Sequence, residues 1–300
     1  MVQPDELTRA AALIRGGELV AFPTETVYGL GANALDADAV RRIFERKGRP
    51  STSPLIVHVD SVEMARSLAR EWPERAEAFA AQHWPGPLTM VLPKRPIIPD
   101  VVTAGLPTVG LRMPAHPVAL ALIREAGVPI AAPSANRFTE LSATTADHVR
   151  AAFGTSVFVL DGGPTDIGIE STVISLVGPE PVLLRPGMIP FADLRRITEL
   201  TGEAHPSPGM HHRHYSPRTT LVLIDGGELP AGRTAYLWWN RFIAAPKDVR
   251  MPASPDQYAA ILYRTLHQLD DEGWDTIAVE RPPSGAEWTG ILDRLERASK

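Results

Sequence analysis

Between residues 18 and 185 the chain alternates short apolar runs with segments whose apolar residues recur at helical spacing. Residues 18–23, 54–59, 88–93, 108–114, 128–133, 157–163 and 171–176 read as strands. Helical patterns cover 6–15, 36–46, 62–81 with an interruption at Pro73, 117–127 and 144–154, the last closing on a Gly stop. Such elements bury a core only as helices layered on a sheet, so the α/β class is expected. The connections vary too much for a simple doubly wound order, and the sheet should be mixed. Asp36 stands where an N-cap belongs, and Val40, Ile43 and Phe44 fall on one face of the helix it would start.

The pattern changes past FADLRRITELTG (191–202), itself read as a helix. HPSPGMHHRHYSPRT holds three prolines, four histidines and no aliphatic run, and is expected to be a linker or a lid. Strands at 219–225, 233–239 and 275–281 with helices at 256–273 and 285–300 then suggest a small Rossmann-like α/β domain. The expected division is 1–203, a linker at 204–218, and 219–300. No apolar run approaches the roughly 20 residues a bilayer span needs. The first residues carry acids where a signal peptide needs bases, so a soluble, cytoplasmic chain is expected. The absence of cysteine excludes disulfides and thiol nucleophiles. With 30 basic against 35 acidic residues the net charge is −5, which argues against a grip on duplex nucleic acid. A small anion in a local basic pocket stays open.

FPTETVYGLGANA (22–34) is the least ordinary stretch, a Thr-Glu-Thr triplet inside apolar sequence. KGRPSTSPLIVHV places Lys47 and Arg49 on a loop before a strand, with Leu55, Val57 and Val59 on one face and Ile56 and His58 on the other. Those residues suit a solvated loop and a satisfied core histidine, or a cationic rim with an imidazole facing a pocket. In TVGLRMP, Arg112 points away from Val109, Leu111 and Met113, and must find a carboxylate or an anionic ligand. Glu25 or Glu170 could pair with it internally. Ser134, Asn136 and Ser142 follow a strand end, where they can cap a helix or donate to phosphate. Ser171 and Thr172 open one strand and Arg185 ends another. Strand ends are where α/β folds gather ligand groups. The set is rich in anion donors, holds no nucleophile–base pair or metal-ligand spacing, and lacks the GxxxxGK[ST] loop. It suits polyphosphate and carboxylate substrates, with catalysis by positioning and charge stabilisation.

FPTETVYGLG, KGRP with PLIVHV, WPGPLTMVL, VGLRMP, APSAN and GIESTVI occur in that order, and they resemble the YrdC-like domain of the L-threonylcarbamoyladenylate synthases. The Lys-x-Arg and Ser-x-Asn signature stands as Lys47-Gly48-Arg49 and Ser134-Ala135-Asn136. SPGMHHRHYSP and the tail resemble the family's long form. The resemblance implies a YrdC-like twisted mixed sheet and a reaction of L-threonine, bicarbonate or CO2, and ATP. The products would be threonylcarbamoyl-AMP and pyrophosphate, with Mg2+ arriving on the phosphates. It also implies a downstream tRNA-modifying threonylcarbamoyl transferase that consumes the product to make N6-threonylcarbamoyladenosine. Direct binding of tRNA is expected to be weak or absent.

Carried over by position, Thr26, His58, Arg112, Ala132 and Ser171 would surround the amino acid. Arg49, Ser53, Thr108, Ser134, Ser142, Arg185 and Tyr215 would contact ATP, and Lys47 and Asn136 complete the signature. The family often has Asn in place of Ser53. Thr24-Glu25-Thr26 would be the strand-exit turn that meets the amino acid, with Gly29 and Gly31 admitting backbone close to it. An RNA-binding module of the same fold is the rival reading, opposed by the acidic charge and the lack of interleaved aromatics. A carbamoyl transferase sharing the fold would usually add zinc-finger-like Cys motifs, which this chain lacks. A metal at adjacent His211 and His212 is disfavoured, because neighbours cannot easily share one ion.

Overall fold

In a computed structural model of the chain, residues 2–191, 195–196 and 214–300 are described. The first ten strands are β1 (Val20–Phe22), β2 (Gly29–Asn33), β3 (Ile56–His58), β4 (Leu88–Pro93), β5 (Thr108–Arg112), β6 (Ile130–Ala131), β7 (Phe158–Val159), β8 (Thr172–Ser175), β9 (Val182–Arg185) and β10 (Arg195–Arg196). They form one sheet in the order β10-β9-β8-β4-β5-β3-β6-β2-β1-β7. Parallel pairs such as β3 with β5 and β4 with β8 alternate with antiparallel ones such as β4 with β5 and β2 with β6, so the sheet is mixed as expected. Around it stand α1 (Pro4–Arg15), α2 (Ala37–Lys47), α3 (Val62–Leu68), α4 (Glu74–His83), α5 (Asp100–Thr103), α6 (Pro117–Ala126) and α7 (Ala146–Phe153).

Local chemistry sets the boundaries. The Asp36 carboxylate accepts from the Asp38 and Ala39 amides and starts α2, and left-handed Gly48 ends it. Pro73 divides the 62–81 pattern by standing as the N-cap of α4. The short β2 was not read as a strand, because its glycines carry no apolar pattern. A Cβ on Gly31 would lie 2.7 Å from both Ile130 Cγ2 and Phe22 Cε1, so packing of the sheet face requires glycine there. Gly31 therefore serves the sheet, whereas Gly29 reaches the cavity described below. The helix expected at 191–202 is not formed at Arg195–Arg196, which pair in parallel with Val182 and Leu183 at the open edge of β9. Backbone pairing at that edge outweighs the helical spacing, and 192–194 and 197–202 lie outside the described residues.

The second sheet holds β11 (Thr220–Ile224), β12 (Thr234–Trp238), β13 (Lys247–Arg250) and β14 (Thr276–Glu280), all parallel in the order β11-β14-β12-β13. The short, charged edge strand β13 gave no apolar signal. Helices α8 (Pro255–Glu272) and α9 (Thr289–Ala298) complete this unit.

The two units share a core. Val27, Leu141, Ile169 and Tyr215 cluster with Tyr258, Leu262, Tyr263 and Ile291 of α8 and α9. Two glycines permit the approach: a Cβ on left-handed Gly168 would collide with the Ala259 carbonyl of α8, and one on Gly290 would lie 2.6 Å from the Gly187 carbonyl. Gly163 has a similar φ of +85°, but nothing lies within 4 Å of the place its Cβ would take. Gly163→Ala should therefore cost only the backbone strain of about 1 kcal/mol. Gly168→Ala adds the collision and should cost about 2 kcal/mol or more. Chemical denaturation of the two variants checks this, and equal losses would show that α8 does not press on Gly168.

Candidate active site

The strand ends of the first unit converge on one cavity, with an empty volume of about 520 Å³ counted to its mouth. The turn after β1 brings Thr24, Thr26 and Val27, β3 brings Ile56 and His58, and β5 brings Arg112. Ala132, Pro133 and Ser134 follow β6, Glu170 and Ser171 precede β8, and Arg185 ends β9. Arg49 enters just past α2, and His214 and Tyr215 enter ahead of the second sheet. Alternation works as the sequence suggested: Leu55, Val57 and Val59 join the core, while Ile56 and His58 face the cavity.

The Thr-Glu-Thr triplet is a buried, internally bonded turn. The hydroxyls of Thr24 and Thr26 lie 2.8 Å apart, and Thr24 Oγ1 donates to the Val27 carbonyl at 2.6 Å. Between them Glu25 turns the other way, accepting from Arg112 Nη2 at 2.7 Å and the Ala115 amide at 3.0 Å. The internal salt bridge considered for Arg112 exists, and its partner is Glu25. The same arginine still lines the cavity, and its Nη1 makes no hydrogen bond among the described residues.

The signature residues divide into a lining and a support. Arg49 and Ser134 line the cavity; Lys47 and Asn136 do not. Lys47 Nζ donates to the Ser134 and Asn136 carbonyls at 2.6 and 2.5 Å, and Asn136 Nδ2 donates to the Arg137 and Glu140 carbonyls, both at 2.8 Å. Lys47 thus fixes the turn that carries Ser134. Ser53 also stands behind the lining and accepts from Arg49 Nη2 at 2.7 Å, while Ser142 donates to Glu170. Thr108 lies at the far end of β5 from Arg112, opposite Pro93, and the structure does not bring it to this cavity. His211 and His212 lie outside the described residues.

Burial dominates the electrostatics. It lowers the Lys47 ammonium well below its ordinary range, with Arg49 adding to the effect, and it lowers the Arg49 guanidinium to about 10. Burial and the Arg112 charge hold His58 at about 3, so its imidazole is neutral at ordinary pH. For Glu170 burial opposes ionisation, but Arg294 and Arg185 outweigh it and hold the carboxyl below its ordinary value. Tyr215 is 1% exposed, sits at φ +61°, and burial raises its hydroxyl. A bulky residue in the left-handed region is strained, which marks an over-determined position. Arg49 Nε, His58 Nδ1 and the Tyr215 hydroxyl are buried without hydrogen-bond partners among the described residues.

Sequence reasoning missed Arg294 and Tyr263, which hold Glu170 from behind. Neither carries a signal, since each sits inside an ordinary amphipathic helix. Among the described residues no three His, Asp or Glu are grouped to hold a metal, and no helix is long and apolar enough to cross a membrane.

Residues 12–187 match the Sua5–YciO–YrdC family, described as telomere recombination, and 189–300 match the threonylcarbamoyl-AMP synthase C-terminal domain. The threonylcarbamoyl-AMP synthase of Pyrococcus abyssi is 44% identical, over 97% of this chain and 93% of its own. The chain belongs to the threonylcarbamoyl-AMP synthase family. A member from Bacillus subtilis is 41% identical over 98% of this chain and 93% of its own. The crystal structure of P. abyssi Sua5 complexed with L-threonine has a TM-score of 0.92 at 41% identity, covering 98% of this chain and 94% of that one.

For this family member one buried and one half-buried imidazole, His58 and His148, predict acid sensitivity. Burial lowers both His58 and His148 from 6.5 to about 3. Between those values the unfolded chain takes up protons that the folded chain refuses. Their contribution to stability is therefore complete above 6.5 and declines as pH falls toward 3. The urea midpoint should drop between about pH 7 and about pH 5, and His58→Gln should lessen the drop. A midpoint that does not move would mean that both rings are hydrated.

Proposed function

We propose that the chain joins L-threonine, CO2 drawn from bicarbonate, and ATP into L-threonylcarbamoyl-AMP, with release of pyrophosphate. The observation that carries this reading is that Arg49, His58 and Tyr215 line a cavity with three arginines, while Arg49 Nε, His58 Nδ1 and the Tyr215 hydroxyl are buried without hydrogen-bond partners among the described residues. Buried polar atoms are nearly always bonded, so such a set fits a polar anionic ligand. Membership of the family supports the reaction, and the acidic net charge speaks against a general RNA-binding module.

In this reading Arg112, already steadied by Glu25, offers Nη1 to the threonine carboxylate, beside Ala132. Thr26, Ser171 and neutral His58 surround the rest of the amino acid. The threonine amine attacks CO2 and loses a proton, which gives a carbamate. A carbamate oxygen then bonds to the α-phosphorus of ATP, the bond to the bridging oxygen breaks, and pyrophosphate leaves. Arg49, Arg185 and the Ser134 hydroxyl stabilise charge that would otherwise drive the anions apart. Lys47, Asn136, Ser53 and Ser142 act one step back, holding the residues that touch ATP. The described residues offer no cage for Mg2+, so the ion would belong to the phosphates, and no step here runs through it.

Residues 1–203 would be the catalytic unit and 219–300 the unit packed against it; of the linker expected at 204–218, residues 204–213 lie outside the described residues, and its described end brings Tyr215 to the cavity. The product is a mixed anhydride, suited to a cytoplasmic tRNA-modifying transferase that moves the threonylcarbamoyl group to adenosine.

Incubation with threonine, bicarbonate, ATP and Mg2+ should release pyrophosphate, and Arg49→Ala should cut the rate by about a hundredfold with the fold retained. Near-normal turnover of that variant would remove Arg49 from the nucleotide site. Valine in place of threonine leaves the hydroxyl partners unbonded and should be used about a hundredfold less well or worse. Equal rates with the two amino acids, measured as carbamoyl-adenylate formed, would exclude recognition of the hydroxyl.

A further inference from the structure

Glu170 stands in the cavity wall, yet two of the groups that hold its carboxylate come from the C-terminal unit. Oε2 accepts from Arg294 Nε of α9 at 2.6 Å and from the Tyr263 hydroxyl of α8 at 3.2 Å, while Oε1 accepts from Ser142 Oγ. Arg294 is 1% exposed. Its Nη1 donates to the Pro186 carbonyl at 3.0 Å and its Nη2 to the Glu170 carbonyl at 3.3 Å. Those two carbonyls adjoin Arg185 and Ser171, which bond each other at 3.1 Å in the wall. The same guanidinium carbon lies 5.0 Å from the centre of the Tyr215 ring. One buried side chain of α9 therefore fixes the wall of the cavity and supports the tyrosine above it.

We infer that Arg294 is a positioning residue for the nucleotide, neutralising Glu170 so that Arg185 is not drawn off its place in the wall. Without Arg294 the carboxylate would keep only the neutral donors Ser142 and Tyr263. Arg185 is the next cation whose charge acts on Glu170. A buried carboxylate stripped of its partner is costly, and the Arg185 guanidinium would swing to meet it. Asp293 would not be stranded in the same way, because Arg297 Nε bonds it at 3.1 Å. The C-terminal unit thereby contributes to ATP recognition itself. The inference rests on the adenylating reading above.

Arg294→Met keeps bulk and removes charge. It should raise the KM for ATP on the order of tenfold. The KM for threonine should rise less than that for ATP, because Arg112 is held separately by Glu25 and only Ser171 is shared with Arg185. Adding Glu170→Gln removes the stranded charge, so the double variant should recover most of the ATP affinity although no ion pair is restored. A merely structural role would not give that recovery. The rise in melting temperature caused by ATP, measured on the same proteins, reads nucleotide binding without turnover. The inference is overturned by an unchanged ATP KM, by equal losses for ATP and threonine, or by a double variant no better than the single one. If the wild type is stabilised by ATP but releases no pyrophosphate, the reaction reading fails. The loss and recovery of ATP stabilisation then still decide the role of Arg294. Should the methionine variant not fold, Arg294→Lys keeps the charge but cannot span Pro186 and Glu170, and a smaller rise in the ATP KM is expected. A rise of about tenfold there, despite the retained charge, would overturn the inference too.

Discussion

Four cations are buried in the first unit, Lys47, Arg49, Arg112 and Arg185, each no more than 6% exposed. Among its described residues the same unit buries two carboxylates, Glu25 and Glu170. Four less two leaves a surplus of two positive charges in a low-dielectric interior, which folding alone does not favour. Much of the local architecture answers that surplus. Lys47 is held by two backbone carbonyls, Arg185 by the Ser171 carbonyl, and Arg49 by Ser53 and the Pro54 carbonyl. Carbonyl dipoles soften the charge without cancelling it, so the cavity is preorganised for anions before any arrive.

The mixed sheet gives those charges their common address. A strand alternates its side chains between two faces, so one apolar face can fasten β3 and β5 to the core while the other carries His58 and Arg112. That arrangement was legible in PLIVHV and TVGLRMP, because alternation depends on neighbours in sequence. The capped α2, the break at Pro73 and the stop at Gly154 were legible for the same reason, each being decided within a few residues. β2 was not, since what it needs at Gly31 is set by Ile130 and Phe22 from two other strands. Nor was the place of Thr108, which stands opposite Pro93 at the end of β5 away from Arg112.

Site residues follow the same division. The lining could be named from motif order, because hydroxyls, amides and cations at strand ends are unusual in composition. Its supports could not. Lys47 is legible as part of the Lys-x-Arg signature, but that it ties the Ser134–Asn136 turn depends on where two carbonyls point. Arg294 lies 124 residues from its carboxylate partner, inside a helix whose charge pattern is that of many solvated helices. Contacts of that range leave no trace in local spacing, and only the folded chain reveals them.

That separation also has a meaning in time. A ribosome adding roughly 5–20 residues per second needs about 6–25 s to travel the 124 residues from Glu170 to Arg294. Early in that interval the ten-stranded sheet gains the sequence of its last three strands, β8 to β10, while the cation that belongs behind the wall has not been made. The nascent first unit must leave Glu170 wet or protonated, with α8 and α9 still to come against Gly168 and Gly187. The catalytic cavity is therefore among the last parts of the molecule to close. A chain released a dozen residues early would keep its signature motifs and lack the side chain that completes the wall behind them.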